Sequence, residues 1–200
     1  MKKLLTLTGL ALCVTFGVQA QNTVRLGGGG LAYEKGDKII QVGLGLGRAI
    51  GGYNLAYRGL GGSLNAAFEV GIHEYFSVGA YGAVGRYSYN IGRIVIGDNR
   101  EYTLTAVAVG ARGSFHYLSL LNEAFDANID EEKIDLYVSL LLGLEFFSDV
   151  SGDIPGYNAT VFDGGAVLGG RYKFSPRLAV FSELGYASLS VWTLGISFHL

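Results

Sequence analysis

The chain has 200 residues, a formal net charge of −2, 16% charged side chains, 32 glycines and two prolines. A typical soluble domain is roughly 25% charged, so this chain lacks the polar surface to face water all round. Its scattered, slightly acidic charge excludes a nucleic-acid surface. After residue 20 no window holds 18 uninterrupted apolar residues, which argues against membrane-spanning helices.

Residues 1–20 have three parts: a basic start at Lys2 and Lys3, an apolar stretch from Leu4 to Val18, and the small-residue site Val18-Gln19-Ala20. This is the pattern of a secretory signal peptide, with cleavage expected between Ala20 and Gln21. A first transmembrane helix is the competing reading, but Thr6, Thr8, Gly9 and Thr15 dilute the stretch and it falls short of the roughly 20 residues a span needs. Leu10-Ala11-Leu12-Cys13 faintly resembles a lipoprotein site, yet Leu12 is too bulky for its place there. Without the signal, 13 basic residues face 17 acidic ones and no cysteine remains, so disulfides and thiolate metal sites are excluded. Residues 21–37 are expected to form a short periplasmic segment before a barrel domain, 38–200.

Eight segments carry apolar alternation with period two: 38–48, 62–72, 75–87, 101–117, 133–147, 159–173, 177–186 and 190–200. In the first, Ile40, Val42, Leu44 and Leu46 oppose Gln41, Gly43, Gly45 and Gly47. In the fifth, Ile134, Leu136, Val138, Leu140, Leu142, Leu144 and Phe146 oppose Asp135, Tyr137, Ser139, Gly143 and Glu145. The last is the cleanest: Trp192, Leu194, Ile196, Phe198 and Leu200 alternate with small or polar residues, as in the closing assembly strand of a bacterial outer-membrane barrel. Long connections alternate with short ones, as expected with outer loops long and periplasmic turns tight. Two depart from that rule: 118–132 is long where a short turn is expected, with a helical turn over 119–125, and 187–189 is very short. The expected fold is an all-β, eight-stranded antiparallel up-and-down transmembrane barrel. A soluble lipocalin-like barrel shows the same alternation reversed, but the non-apolar face here is mostly Gly, Ala and Ser, too bare for a water-facing exterior.

Three stretches carry a family resemblance. Gly110-Ala-Arg-Gly-Ser-Phe-His-Tyr117, Leu168-Gly-Gly-Arg-Tyr-Lys-Phe-Ser-Pro-Arg-Leu-Ala-Val-Phe-Ser-Glu-Leu-Gly-Tyr186 and Leu194-Gly-Ile-Ser-Phe-His-Leu200 resemble the small porin-like outer-membrane β-barrel domains of Bacteroidetes-type bacteria. The resemblance implies the barrel fold and an outer-membrane location. It implies no activity.

By the alternation, Glu69, Arg112, Glu145, Arg171 and Glu183 face away from the apolar side. Arg or Lys on the lipid face costs roughly 2–4 kcal/mol at the midplane, so these charges belong inside. Glu69, Arg112, Arg171 and Glu183 sum to zero and suit a lumen ion-pair plug; a gated proton or ion path is the functional alternative. Tyr81, Tyr137 and Phe181 should help fill the lumen. Ser114 and His116 share a face and, with Glu183, contain the residue types of a hydrolase, but they point to the lumen and not to the rim where a lipid-modifying barrel would work.

Asp126-Ala-Asn-Ile-Asp130-Glu131-Glu132 begins like a calcium loop, yet Glu131 stands where Gly is needed and Tyr137 where the bidentate Glu is needed. The Gly43, Gly45, Gly47 series has strand period, unlike a phosphate loop. Tyr75, Phe76, Phe115, Tyr117, Phe146, Phe147, Tyr172 and Phe174 are expected in aromatic girdles, and His73 and His199 at the periplasmic rim. Tyr53 and Tyr57 fall in an outer loop and could serve carbohydrate. No catalytic, cofactor or metal set is expected. The expected partners are outer-membrane lipid and lipopolysaccharide, with periplasmic chaperones and the barrel-assembly machinery during export. The function expected of this monomer is a structural or surface-platform role, with a narrow porin as the alternative and a lipid A-modifying enzyme third.

Overall fold

A computed structural model describes residues 30–47, 62–90, 101–149 and 158–200. The expected cleavage site at Ala20 and Gln21 and the loop residues Tyr53 and Tyr57 lie outside them. Eight strands follow in chain order: β1 Lys38–Leu46, β2 Gly62–His73, β3 Phe76–Asn90, β4 Glu101–His116, β5 Ile134–Asp149, β6 Asn158–Ser175, β7 Leu178–Ala187 and β8 Ser190–His199. Each pairs antiparallel with its sequence neighbour, and β8 pairs with β1 through Ile40 with Phe198, Val42 with Ile196 and Leu44 with Leu194. The sheet is therefore a closed barrel, which leaves no strand edge unpaired.

Period two puts alternate side chains on opposite walls, and here the large apolar ones point out. Val138, Leu140, Leu142, Leu144 and Phe146 of β5 are exposed on the outer surface, as are Trp192, Leu194, Ile196 and Phe198 of β8 and Leu200 just past its end. The inner wall is polar or small: Gln41, Ser77, Ser114, Ser139 and Ser197 are buried.

The structure corrects two expectations. β1 ends at Leu46, and Gly47 leaves the strand with φ 70°, a backbone state that favours glycine. Phe147 turns inward and packs on the lumen cluster instead of joining a girdle. His199, the last residue of β8, lies at the turn end beside Asp37 with its side chain buried.

The two irregular connections lie at opposite ends of the barrel. β7 and β8 have 10 residues each, whereas β5 has 16 and β6 has 18. Their short hairpin therefore stops inside the taller wall. At its tip Ser188 takes φ 53°, and Leu189, 1% exposed, packs against Ala83, Ala106 and Ala108, with Tyr81 and Phe147 beside them. Alanines on the inner wall leave room for that tip. Ser188 Oγ donates to Glu145 Oε1 at 2.6 Å, which fixes its polar side.

At the opposite end, the long connection after β4 forms helix α1, Leu118–Phe125. Asp126 ends it in the left-handed conformation, its N–H bonded to the Asn122 carbonyl at 3.1 Å. The Asn122 amide holds Ile129 through both its oxygen (3.0 Å) and its nitrogen (2.8 Å), and Ser119 Oγ donates to Glu131 Oε2 at 2.9 Å. The acidic stretch is thus a self-bonded loop, and no metal-holding group of three His, Cys, Asp or Glu occurs among the described residues.

If the hairpin tip is a true core element, Leu189→Ala should cost about 2–5 kcal/mol, the range for a buried leucine. Equilibrium urea unfolding of the refolded barrel measures this, and a cost under about 1 kcal/mol would show the tip to be loosely seated.

Candidate functional site: the charged lumen and its cover

Strands β1 to β7 each contribute to a polar cluster that crosses the lumen. Glu69 on β2 is fully buried, its carboxylate ringed by arginines and hydroxyls. Its Oε1 meets Arg112 Nε and Arg171 Nη2, both at 3.1 Å, and its Oε2 receives Ser77 Oγ at 2.6 Å and Ser114 Oγ at 2.5 Å. Arg112 then reaches Glu183 through both terminal guanidinium nitrogens, Nη2 to Oε1 at 2.7 Å and Nη1 to Oε2 at 3.3 Å. Arg171 Nη1 binds Asp135 Oδ2 at 2.7 Å. The Gln41 amide satisfies its neighbours with its oxygen turned to Arg171 Nε (3.2 Å) and its nitrogen donating to Glu69 Oε1 (3.3 Å).

The four charges singled out from the sequence thus lie within one bonded group. The sequence reading put Asp135, Tyr137 and Ser139 on the inner face but gave them no part in the charge network: Asp135 pairs with Arg171 and with His116, Ser139 accepts from Arg112 Nη2 at 2.8 Å, and Tyr137 donates to Glu183 Oε1 at 2.7 Å. Glu145 lies apart, bonded to the hairpin tip.

The register explains how these chains meet. Glu69 on β2 pairs with Gly79 on β3, which pairs with Arg112 on β4. Likewise Tyr137 on β5 pairs with Gly169 on β6, which pairs with Glu183 on β7. In both rows a glycine stands between the partners, so a long side chain crosses one strand unobstructed. A Cβ at Gly169 would overlap the Tyr137 ring. That ring lies 4.2 Å from the Arg171 guanidinium carbon, adding a cation–π contact.

Ser77, His116 and Asp135 stand in the order of a hydrolytic triad: Ser77 Oγ to His116 Nε2 is 3.0 Å and His116 Nδ1 to Asp135 Oδ1 is 2.8 Å. The chemistry does not follow the order. Ser77 gives its one proton to Glu69 Oε2 and is 1% exposed, so no substrate carbonyl reaches it. Ser114, the nucleophile the sequence offered, bonds Glu69 and Ser139.

A strap formed by residues 30–37 covers the His116 end. Its Tyr33 ring stacks on His116 at 3.5 Å and 3°, and its hydroxyl lies 2.6 Å from the Phe76 carbonyl and 2.9 Å from that of His73. At the strap's end, Asp37 lies 3.7 Å from His199 Nδ1, beyond hydrogen-bond distance. Partial burial raises the Asp37 carboxyl, but His199, the Glu34 N–H and Lys173 outweigh it and hold the carboxyl below the usual carboxylate range. Between the strap, the turn at Glu74 and Tyr75, and α1 lies a vestibule of about 380 Å³ that reaches His116 and Asp135. Deeper, beside Arg112, Phe181 and Glu183, the lumen holds a cavity of about 30 Å³, space for one or two waters.

No protein-family model matches the chain, and no curated protein matches it. Solved structures do. The outer membrane protein OprG from Pseudomonas aeruginosa aligns with 10% identity over 84% of this chain and 97% of its own, with a TM-score of 0.55. The attachment invasion locus protein Ail of Yersinia pestis, solved with the heparin analogue sucrose octasulfate, aligns with 18% identity over 83% and 99%, TM-score 0.48. The N-terminal β-barrel domain of Pseudomonas aeruginosa OprF gives 13%, 84%, 98% and 0.44. At such identities the OprG alignment supports the eight-stranded barrel fold and says nothing of activity.

Tyr137→Phe removes one hydrogen bond to a charged acceptor and leaves the ring in place. It should lower stability by about 1.5–3 kcal/mol in urea unfolding; a loss under about 0.5 kcal/mol would mean the Glu183 carboxylate is solvated.

Proposed function

We propose that this chain is a monomeric outer-membrane β-barrel of the small porin-like type, exported with a cleaved signal peptide, that acts as a structural element or a platform for surface contacts and not as a channel or an enzyme. The apolar exterior supports the membrane placement: large side chains such as Leu44, Leu140, Leu142 and Leu184 are exposed around the wall, a surface that water would not tolerate. The chain termini and tight turns then face the periplasm, and the long segments 48–61, 91–100 and 150–157, outside the described residues, become the outer loops.

One observation carries the closed-lumen reading. Along the barrel axis the path meets Tyr33 on His116, then the Glu69–Arg112–Arg171 cluster, then Leu189 against its alanines. An eight-stranded barrel has an interior that side chains just fill, and the 30 Å³ beside Arg112 is too small for a hydrated ion. The buried Ser77 likewise argues against lipid hydrolysis.

Planar-bilayer recording of the purified protein should show no stable ohmic conductance, and a parallel assay should show no change in lipid A. Reproducible channels of uniform size would replace this reading with a narrow porin.

A further inference from the structure

We propose that the strap, residues 30–37, is a displaceable plug, with Tyr33 as its bolt, whose release opens the charged lumen to water from the turn end while the hairpin end stays shut. The strap lies outside the strand ladder. Closure of the barrel rests on β1 paired with β8, and β1 begins only at Lys38. Removing the strap therefore breaks its two backbone bonds to Gly71 of β2 but no rung between β1 and β8.

Besides the Tyr33 stacking and hydroxyl bonds and the Asp37–His199 contact, four hydrogen bonds attach the strap to the barrel. Ala32 and Tyr33 are buried, while Glu34, Lys35 and Gly36 are exposed. Ala32 N donates to the Glu131 carbonyl at 2.7 Å, Gly36 N to that of Gly71 at 2.8 Å, Gly71 N to that of Asp37 at 2.8 Å, and Lys173 Nζ to that of Leu31 at 3.0 Å. Gly36 is exposed and Leu31 and Glu131 line the vestibule, where water replaces a lost partner at little cost, whereas Ala32 and Gly71 are buried and hold the inner side of the strap. Segments held by few buried contacts open locally long before a protein unfolds.

The docking surface is shaped for this strap. Gly71 faces it, and a Cβ there would come 2.6 Å from the Glu34 carbonyl and 3.1 Å from the Tyr33 hydroxyl. Tyr33 seals the inner side: behind its ring lies His116, and behind His116 lie Ser77 and Glu69. With the ring gone, the vestibule that already touches His116 extends to Ser77. At the other end Leu189 and its three alanines do not touch the strap, so the opened molecule is a one-sided cup and not a pore.

The test is thiol labelling of the full chain carrying Cys13→Ala, so that an introduced cysteine is the only one. Ser77→Cys reports the strap end and Ala108→Cys the hairpin end, each treated with a small cationic methanethiosulfonate. With the native strap the thiol at position 77 should react slowly. Tyr33→Ala or Gly71→Val should accelerate that reaction at least tenfold, Tyr33→Phe less, and the thiol at position 108 should stay protected in all backgrounds. Amide exchange on the otherwise native chain should show Ala32 and Gly36 exchanging at least 100-fold faster than amides inside β1–β8. Equal labelling rates at position 77 with and without Tyr33, strap amides as protected as the strands, or labelling at position 108 accelerating in step with position 77 would each overturn the proposal. Should Gly71→Val fail to fold, Tyr33→Phe and the exchange measurement still decide it.

Discussion

The pairing of Arg112 with Glu69 on one side and Glu183 on the other is the interaction on which the rest of the lumen depends. A guanidinium 5% exposed in a narrow barrel is tolerable only if carboxylates surround it closely. Two do, and each is itself held: Glu69 by two serines and a second arginine, Glu183 by Tyr137. Because the partners come from β2, β4 and β7, the cluster ties distant parts of the wall together through the middle, a connection that the strand ladder alone does not make.

That arrangement sets the sizes of its neighbours. Glycines at 79 and 169 leave the gaps through which Glu69 meets Arg112 and Tyr137 meets Glu183, and serines at 77, 114 and 139 supply hydroxyls without bulk. Of the large inward residues, Tyr137 lies within the cluster and Phe181 beside it, while two others cap its ends, Leu189 from the hairpin and Tyr33 from the strap. The polar centre and the two apolar caps divide the work: charge pairing fixes the geometry of the wall, and the caps exclude water that would weaken the pairing.

Much of the barrel was legible in the sequence because period two is a one-dimensional signal. All eight strands lie where the alternation puts them, within a few residues, and the inward placement of Glu69, Arg112, Arg171 and Glu183 follows from the same alternation. Partnership is another matter, since it depends on register between strands, and register is not written in any single strand. Asp135 was legible as inward, yet its match with Arg171 appears only when β5 and β6 are aligned, where the two are direct partners. His116 was read with Ser114 because they share a strand face, whereas the register gives it to Ser77 and Asp135 from the strands on either side. The strap was the least legible part: Tyr33 carries no periodic signal, and its role arises from a ring packed across the barrel mouth.

The most direct test of the account is a double-mutant cycle on Arg112 and Glu183, read by equilibrium urea unfolding of the refolded barrel. Arg112→Ala and Glu183→Ala should each cost about 3–5 kcal/mol, because each strands a buried charge. The double variant should cost less than their sum by about 1 kcal/mol or more, the signature of direct coupling. Single costs under about 1 kcal/mol that simply add would contradict the account, since they would describe solvated, independent charges in a water-filled lumen.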